Sequence, residues 1–165
     1  MTALRWLLRI AAVLVALIAL VFFGARFHDG PLGPIPGGAL AGGELVAEPV
    51  ADWSFAKDTG EIQLQLESQT RSRTVWFFVL EGKAYVPCSL DFPPGKNWHH
   101  EAVKDGRATL RIDGKRYPVT LTKLDDPVAQ QMGEAARAEL QRKYGELPQG
   151  EHGAWLFEVT SRASS

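Results

Sequence analysis

The spacing of apolar positions changes from one end of this chain to the other. From Trp6 to Gly24 the sequence reads WLLRIAAVLVALIALVFFG, apolar throughout except Arg9 and the closing glycine. Nineteen helical residues reach about 28 Å, close to the roughly 30 Å hydrocarbon core of a bilayer. Arg9 lies near the N-terminal, cytoplasmic end of the run, where its stem can lie along the apolar surface while its charge reaches the headgroups. The competing reading is a cleaved signal peptide. The exit sequence Val21-Phe22-Phe23-Gly24-Ala25 argues against it, since its best register puts bulky Phe23 at the −3 position. The expectation is an uncleaved transmembrane anchor over residues 1–24 that meets lipid through residues 6–24. Arg5 and Arg9 before the span, against Arg26 partly offset by Asp29 after it, favour an N-terminus inside and the remainder outside. That predicts a single-pass protein of the cytoplasmic (inner) membrane with an extracytoplasmic domain.

Residues 25–43 lose all periodicity. ARFHDGPLGPIPGGALAGG holds six glycines and three prolines and reads as a spacer or surface-hugging loop. Leu32, Ile35 and Leu40 are the residues in it that can pack on a domain.

From Glu44 to Ser165 the pattern is mostly that of strands. EIQLQLE (61–67) alternates Ile62, Leu64 and Leu66 with polar neighbours, the mark of a half-buried strand. RTVWFFVL (73–80) is apolar on both faces, as befits a central strand covered on its second side by a partner element or subunit. Glu81-Gly82-Lys83 turns it into Ala84–Cys88. In RATLRI-DG-KRYPVTL, Asp113-Gly114 is a preferred two-residue hairpin turn, which places Leu110 opposite Tyr117, Ala108 opposite Val119 and Arg111 opposite Arg116. Like charges facing each other need solvent or an anion between them, and Pro118 calls for an edge or a bulge. Asp126-Pro127 opens a helix, with Asp126 as N-cap, that runs to about Tyr144 and stops at Gly145. Its stripe is Val128, Met132, Ala135, Ala136, Leu140 and Tyr144. AWLFEVT (154–160) is a last strand. The fold class is mainly β with α: a small barrel with a C-terminal helix, preceded by one transmembrane helix.

Composition sharpens this division. Of the first 24 residues 20 are apolar, against 55 of the other 141. A formal charge of −1 gives no basis for nucleic-acid binding. One cysteine excludes a disulfide framework and a cysteine-rich metal site. The sequence contains no GxSxG, HExxH, P-loop, GxGxxG or CxxC motif. His99 and His100 are adjacent, so on a helix their rings diverge by about 100° and do not share one ion. They read as one exposed and one partly buried histidine on a short helix. The cations Arg71, Arg73, Lys96, Arg111 and Arg116 frame an anion if their strands are neighbours, with Trp76, Trp98 and Tyr85 offering flat surface to a ring.

The run RSRTVWFFVLEGKAYVPCS, followed by PPGKNWHHEAVKDGRATLRIDGKRYPVTLTKLDDP, resembles the split β-barrel family of pyridoxamine-phosphate-oxidase-like and deazaflavin-dependent nitroreductase-like proteins. The resemblance spans residues 60–126, about two-fifths of the chain. It implies FMN or a deazaflavin, less often haem, at a homodimer interface, with strand 73–80 as the seam. By position it puts Arg73, Thr74, Ser89 and Lys96 on the cofactor phosphate, and Trp98 and His99 beside the ring. His100-Glu101 stands near the place where the flavin families have Asn-Leu or Asn-Pro, and loop 90–95 is rich in proline rather than in basic residues. No catalytic acid–base residue stands out; Tyr85 and His99 are the nearest candidates. Two readings follow: a membrane-anchored flavin- or deazaflavin-dependent oxidoreductase acting on a lipophilic acceptor such as a quinone, or a non-catalytic membrane-tethered ligand- or partner-binding module that has lost the cofactor.

Overall fold

The computed structural model of the protein describes residues 2–145 and 153–163. Helix α1 (Thr2–Ala25) is followed by an irregular segment and by β1 (Glu44–Leu45), β2 (Glu61–Leu66), β3 (Ser72–Trp76), β4 (Phe78–Leu80) and β5 (Lys83–Ser89). Then come α2 (Trp98–Lys104), β6 (Arg107–Ile112), β7 (Lys115–Lys123), α3 (Asp126–Tyr144) and β8 (Ala154–Ser161). The strands run β3-β2-β6-β7-β8-β5-β4, with β1 added beside β7. Only Phe77 separates β3 from β4, so the two ends of the sheet meet and nearly close a seven-strand barrel.

The run expected as one strand, 73–80, is two short ones, and the reason is a change of partner. Up to Trp76 it pairs with β2; from Phe78 it pairs with β5. At the switch the Phe77 N–H donates to the Gly60 carbonyl at 2.8 Å. The alternation of side chains continues through it. Val75, Phe77 and Val79 point into the core with Leu64, Leu110, Val119 and Phe157. Phe78 lies on the other side, packed with Tyr85, Leu156 and Ala136 of α3, with Met132 and Leu140 beside them. Trp76 stacks on Tyr144, ring centroids 4.3 Å apart. The element covering the second apolar face is therefore α3 of the same chain.

The Asp113-Gly114 hairpin forms with both residues at positive φ, and its register is as expected: Leu110 pairs with Tyr117, Ala108 with Val119 and Arg111 with Arg116. Pro118 lies inside β7, which has neighbours on both sides, but just beyond its last rung with β8, the Val119–Ser161 pair. Its carbonyl still accepts from Arg162 N–H at 2.8 Å, and its missing donor faces the place where that ladder ends. Helix α3 starts one residue earlier than expected, with Asp125 rather than Asp126 in the N-cap position and Gly145 at φ 74° beyond its last turn.

The covering role of α3 makes a testable contrast. Phe78 is fully buried, whereas Val128 on the same helix–sheet layer is 43% exposed. Phe78→Ala should cost about 3–5 kcal/mol and Val128→Ala under about 0.5 kcal/mol, read from denaturant midpoints. Equal effects would show that α3 does not seat on β4.

Candidate functional site

The barrel is open where its strand changes partner. β5 pairs with β4 only through Lys83–Tyr85, and no ladder joins its second half to β3. Side chains fill that gap. From β3, the Arg73 guanidinium lies over the Trp98 ring of α2 at 5.8 Å and donates to the Gln69 side-chain carbonyl. Burial, and secondarily the nearby Arg71, pull its pKa down to about 10, so it remains a cation at neutral pH. Arg71 donates to the Pro36 carbonyl at 3.0 Å. The Nε atoms of both arginines are buried without a hydrogen-bond partner.

These groups line a groove of about 570 Å³ formed by Pro34, Pro36, Ser68, Gln69, Thr70, Arg71, Arg73, Thr74, Pro93, Lys96 and Trp98. No carboxylate is among them. Three cations and no acidic side chain give the groove an electropositive lining, with the largely buried Trp98 ring beneath Arg73. A second, smaller groove of about 340 Å³ beside the Asp113-Gly114 turn contains Glu61 and Asp113 and has no aromatic lining.

The expected site residues divide. Arg73, Thr74, Lys96 and Trp98 come together in the groove. The Thr74 hydroxyl donates to the Gly33 carbonyl at 2.7 Å, and Lys96 Nζ donates to the Phe92 carbonyl. Ser89 is not in the lining; its oxygen accepts the N–H groups of Asp91 and Phe92 at 3.3 and 3.2 Å and so holds the loop after β5. His99 is buried at 4% exposure, edge-on to Trp155, with Nδ1 unpartnered. Burial, then His100 and Lys96, lower its pKa, which keeps the ring neutral at pH 7. His100 beside it is exposed, but the two rings, expected to diverge, lie with centroids 4.1 Å apart. Among the described residues no group of three His, Cys, Asp or Glu is placed to hold a metal ion. Tyr85 stacks on Phe78 under α3, on the outer side of the barrel.

Two cations expected at the site are used elsewhere. Arg111 and Arg116 do face each other, and chain segment 29–43 comes between them. Arg111 binds the Asp29 carboxylate at 2.8 Å and the Gly42 carbonyl at 3.2 Å. Arg116 donates to the Gly43 and Leu40 carbonyls at 3.2 and 3.3 Å. Backbone carbonyls supply the negative counterpart that this pairing required. The sequence reasoning did not find Gln69, Pro34 and Pro36 as site residues. For the two prolines the signal was the apolar content of the Gly/Pro run, and Gln69 carried none.

Cys88 lies in the barrel core, 3% exposed. Burial pushes its thiol up to about 11, against the pull of Lys96 and Arg73. The folded state therefore holds the proton more tightly than the unfolded chain, whose thiol titrates near about 8.5. That contribution to stability is complete below the unfolded value and is lost as pH rises through the folded one. The denaturant midpoint should fall between pH 8.5 and 11 more steeply in the wild type than in Cys88→Ala. Iodoacetamide labelling at pH 8 at the rate of a free thiol would contradict this placement.

No protein-family profile and no curated protein sequence matches the chain. Solved structures with a similar fold include an F420 reductase at 14% identity and TM-score 0.45, over 70% of this chain and 97% of that one. A candidate pyridoxamine 5'-phosphate oxidase from Listeria innocua aligns at 9% identity and TM-score 0.39, over 62% of this chain and 82% of its own. A NimC/NimA family protein from Clostridium acetobutylicum aligns at 16% identity and TM-score 0.38, over 64% and 75%.

Proposed function

We propose that this chain is a membrane-tethered oxidoreductase whose groove holds FMN or a deazaflavin and whose electron acceptor is lipophilic, such as a quinone. The observation that carries the reading is the pair Arg71 and Arg73, adjacent cations whose buried Nε donors lack partners beside the Trp98 ring. Two guanidinium groups crowded together are stabilised by a phosphate, which accepts from both and offsets their repulsion. The bound ring would supply the hydride or electron chemistry. The chain's own residues do the rest: Arg71, Arg73 and Lys96 hold the anion, Trp98 gives the ring a flat neighbour, and Pro34 and Pro93 flank the groove. Haem fits less well, because neither His99 nor His100 lines the groove.

The tether is α1. Its span Leu4–Ala25 has 22 residues and a mean hydropathy of 2.7, and its residues up to Gly24 are exposed. The excess of arginine before the span supports a barrel on the extracytoplasmic face of the inner membrane. Anchoring raises the local concentration of the site near a membrane-dissolved substrate.

One observation favours a non-catalytic ligand-binding module instead: among the described residues no Asp, Glu, His, Cys or Tyr lines the groove, Tyr85 being under α3 and His99 against Trp155.

Titration of FMN and of a deazaflavin cofactor into the full-length protein in detergent, followed by fluorescence quenching, decides the first point. Binding is expected, and Arg73→Ala should weaken it about 10- to 100-fold, or roughly 1–3 kcal/mol. Absence of binding by both would end the oxidoreductase reading; binding without electron transfer to a soluble quinone would leave the module. A C-terminal reporter enzyme that is active only outside the cytoplasm should be active, and silence from it would reverse the topology.

A further inference from the structure

We infer that residues 29–42 are a structural wall of the groove rather than a spacer, and that the Asp29–Arg111 pair is the clamp that positions this wall. The functional half of this inference rests on the anion-binding reading above.

The clamp joins residues 82 apart in the chain. Arg111 is only 12% exposed and makes four bonds: to the Asp29 carboxylate, to the Asp29 carbonyl at 2.9 Å, to Gly42 and to Gln63. The Asp29 carboxylate also accepts the N–H groups of Ala41 and Gly42 at 2.9 and 3.2 Å. Both ends of the segment therefore converge on one guanidinium. Burial alone would raise the Asp29 pKa, but the N–H groups of Ala41 and Gly42 and the Arg111 cation outweigh it and hold the group ionised.

Between its clamped ends the segment follows the free edge of β3. Gly37 N–H donates to the Ser72 carbonyl at 3.0 Å, and Ser72 returns its own N–H and hydroxyl to Gly38 at 3.1 and 2.5 Å. Leu40, 4% exposed, donates its N–H to the Gln65 side chain at 2.7 Å. The groove contacts lie on this same stretch: the Pro36 carbonyl on Arg71, the Gly33 carbonyl on Thr74, and the rings of Pro34 and Pro36. The approach is too close for side chains. A Cβ on Gly37 would stand 1.7 Å from the Gly30 carbonyl oxygen. Glycine here reflects packing, since a flexible spacer would leave such positions open.

The test uses the full-length protein in detergent, comparing wild type with Asp29→Ala and Gly37→Ala, neither of which lines the groove. Hydrogen exchange reads the strap directly. The Gly37, Leu40 and Ser72 amides should be protected in the wild type and lose at least tenfold protection in both variants. Retained protection in β6 and β7 shows that the barrel is folded. Phenylglyoxal modification of Arg71, mapped by mass spectrometry, should accelerate severalfold once the Pro36 contact is gone. FMN affinity should fall at least tenfold. Strap amides unprotected in the wild type, or unchanged in both variants, would overturn the clamp. A released strap with unchanged Arg71 reactivity would overturn its role as a wall. Failure of wild-type protein to bind FMN would remove the cofactor reading alone, because exchange and Arg71 reactivity need no ligand.

Discussion

Everything distinctive in this barrel follows from one strand that must satisfy two neighbours. Residues 72–80 pair first with β2 and then with β5, and the exchange occurs at Phe77. A strand cannot diverge from one partner towards another without leaving unpaired edges on both sides of the switch. One edge lies on β3 and the other on the second half of β5. The groove occupies this opening, and Arg73 projects into it because its β3 position places it on the inner side of the barrel's open end. Closure and opening of the barrel are thus the same event seen from the two ends of one strand.

The charge distribution divides along the same line. Arg111 and Arg116, on a regular hairpin, are satisfied by carbonyls and by Asp29. Arg71 and Arg73, at the irregular opening, keep Nε donors without partners. A buried guanidinium is costly unless its donors are used, so the fold itself accounts for the first pair of arginines more fully than for the second. Composition counted these cations together, and geometry separates them.

Much of the barrel was legible in the sequence because short-range physics specifies it. Ile62, Leu64 and Leu66 gave the inward face of β2, and Asp113-Gly114 gave a hairpin with its register. The break at Phe77 was not legible, since the residues on either side are equally apolar and a change of hydrogen-bond partner leaves no compositional trace. The doubly apolar pattern required a cover over Phe78 but could not say whether a subunit or a helix provides it. The candidate site was half legible. Arg73, Thr74, Lys96 and Trp98 share a groove, while Ser89 serves its own loop. The Gly/Pro segment escaped because its attachments run through backbone carbonyls, which every sequence possesses.

The bridge between Gly37 and Ser72 has a consequence for the solubility of the chain. β3 is the last strand on its side of the sheet, and an exposed row of N–H and C=O groups invites pairing with other molecules. The segment beside it uses those groups at Ser72 and presents three prolines close by, residues that cannot extend a sheet. A protein shortened to begin at Glu44 would keep its barrel strands and lose this guard. The stretch between α1 and β1 thus also occupies the edge at which a strand of another molecule would otherwise add to the sheet.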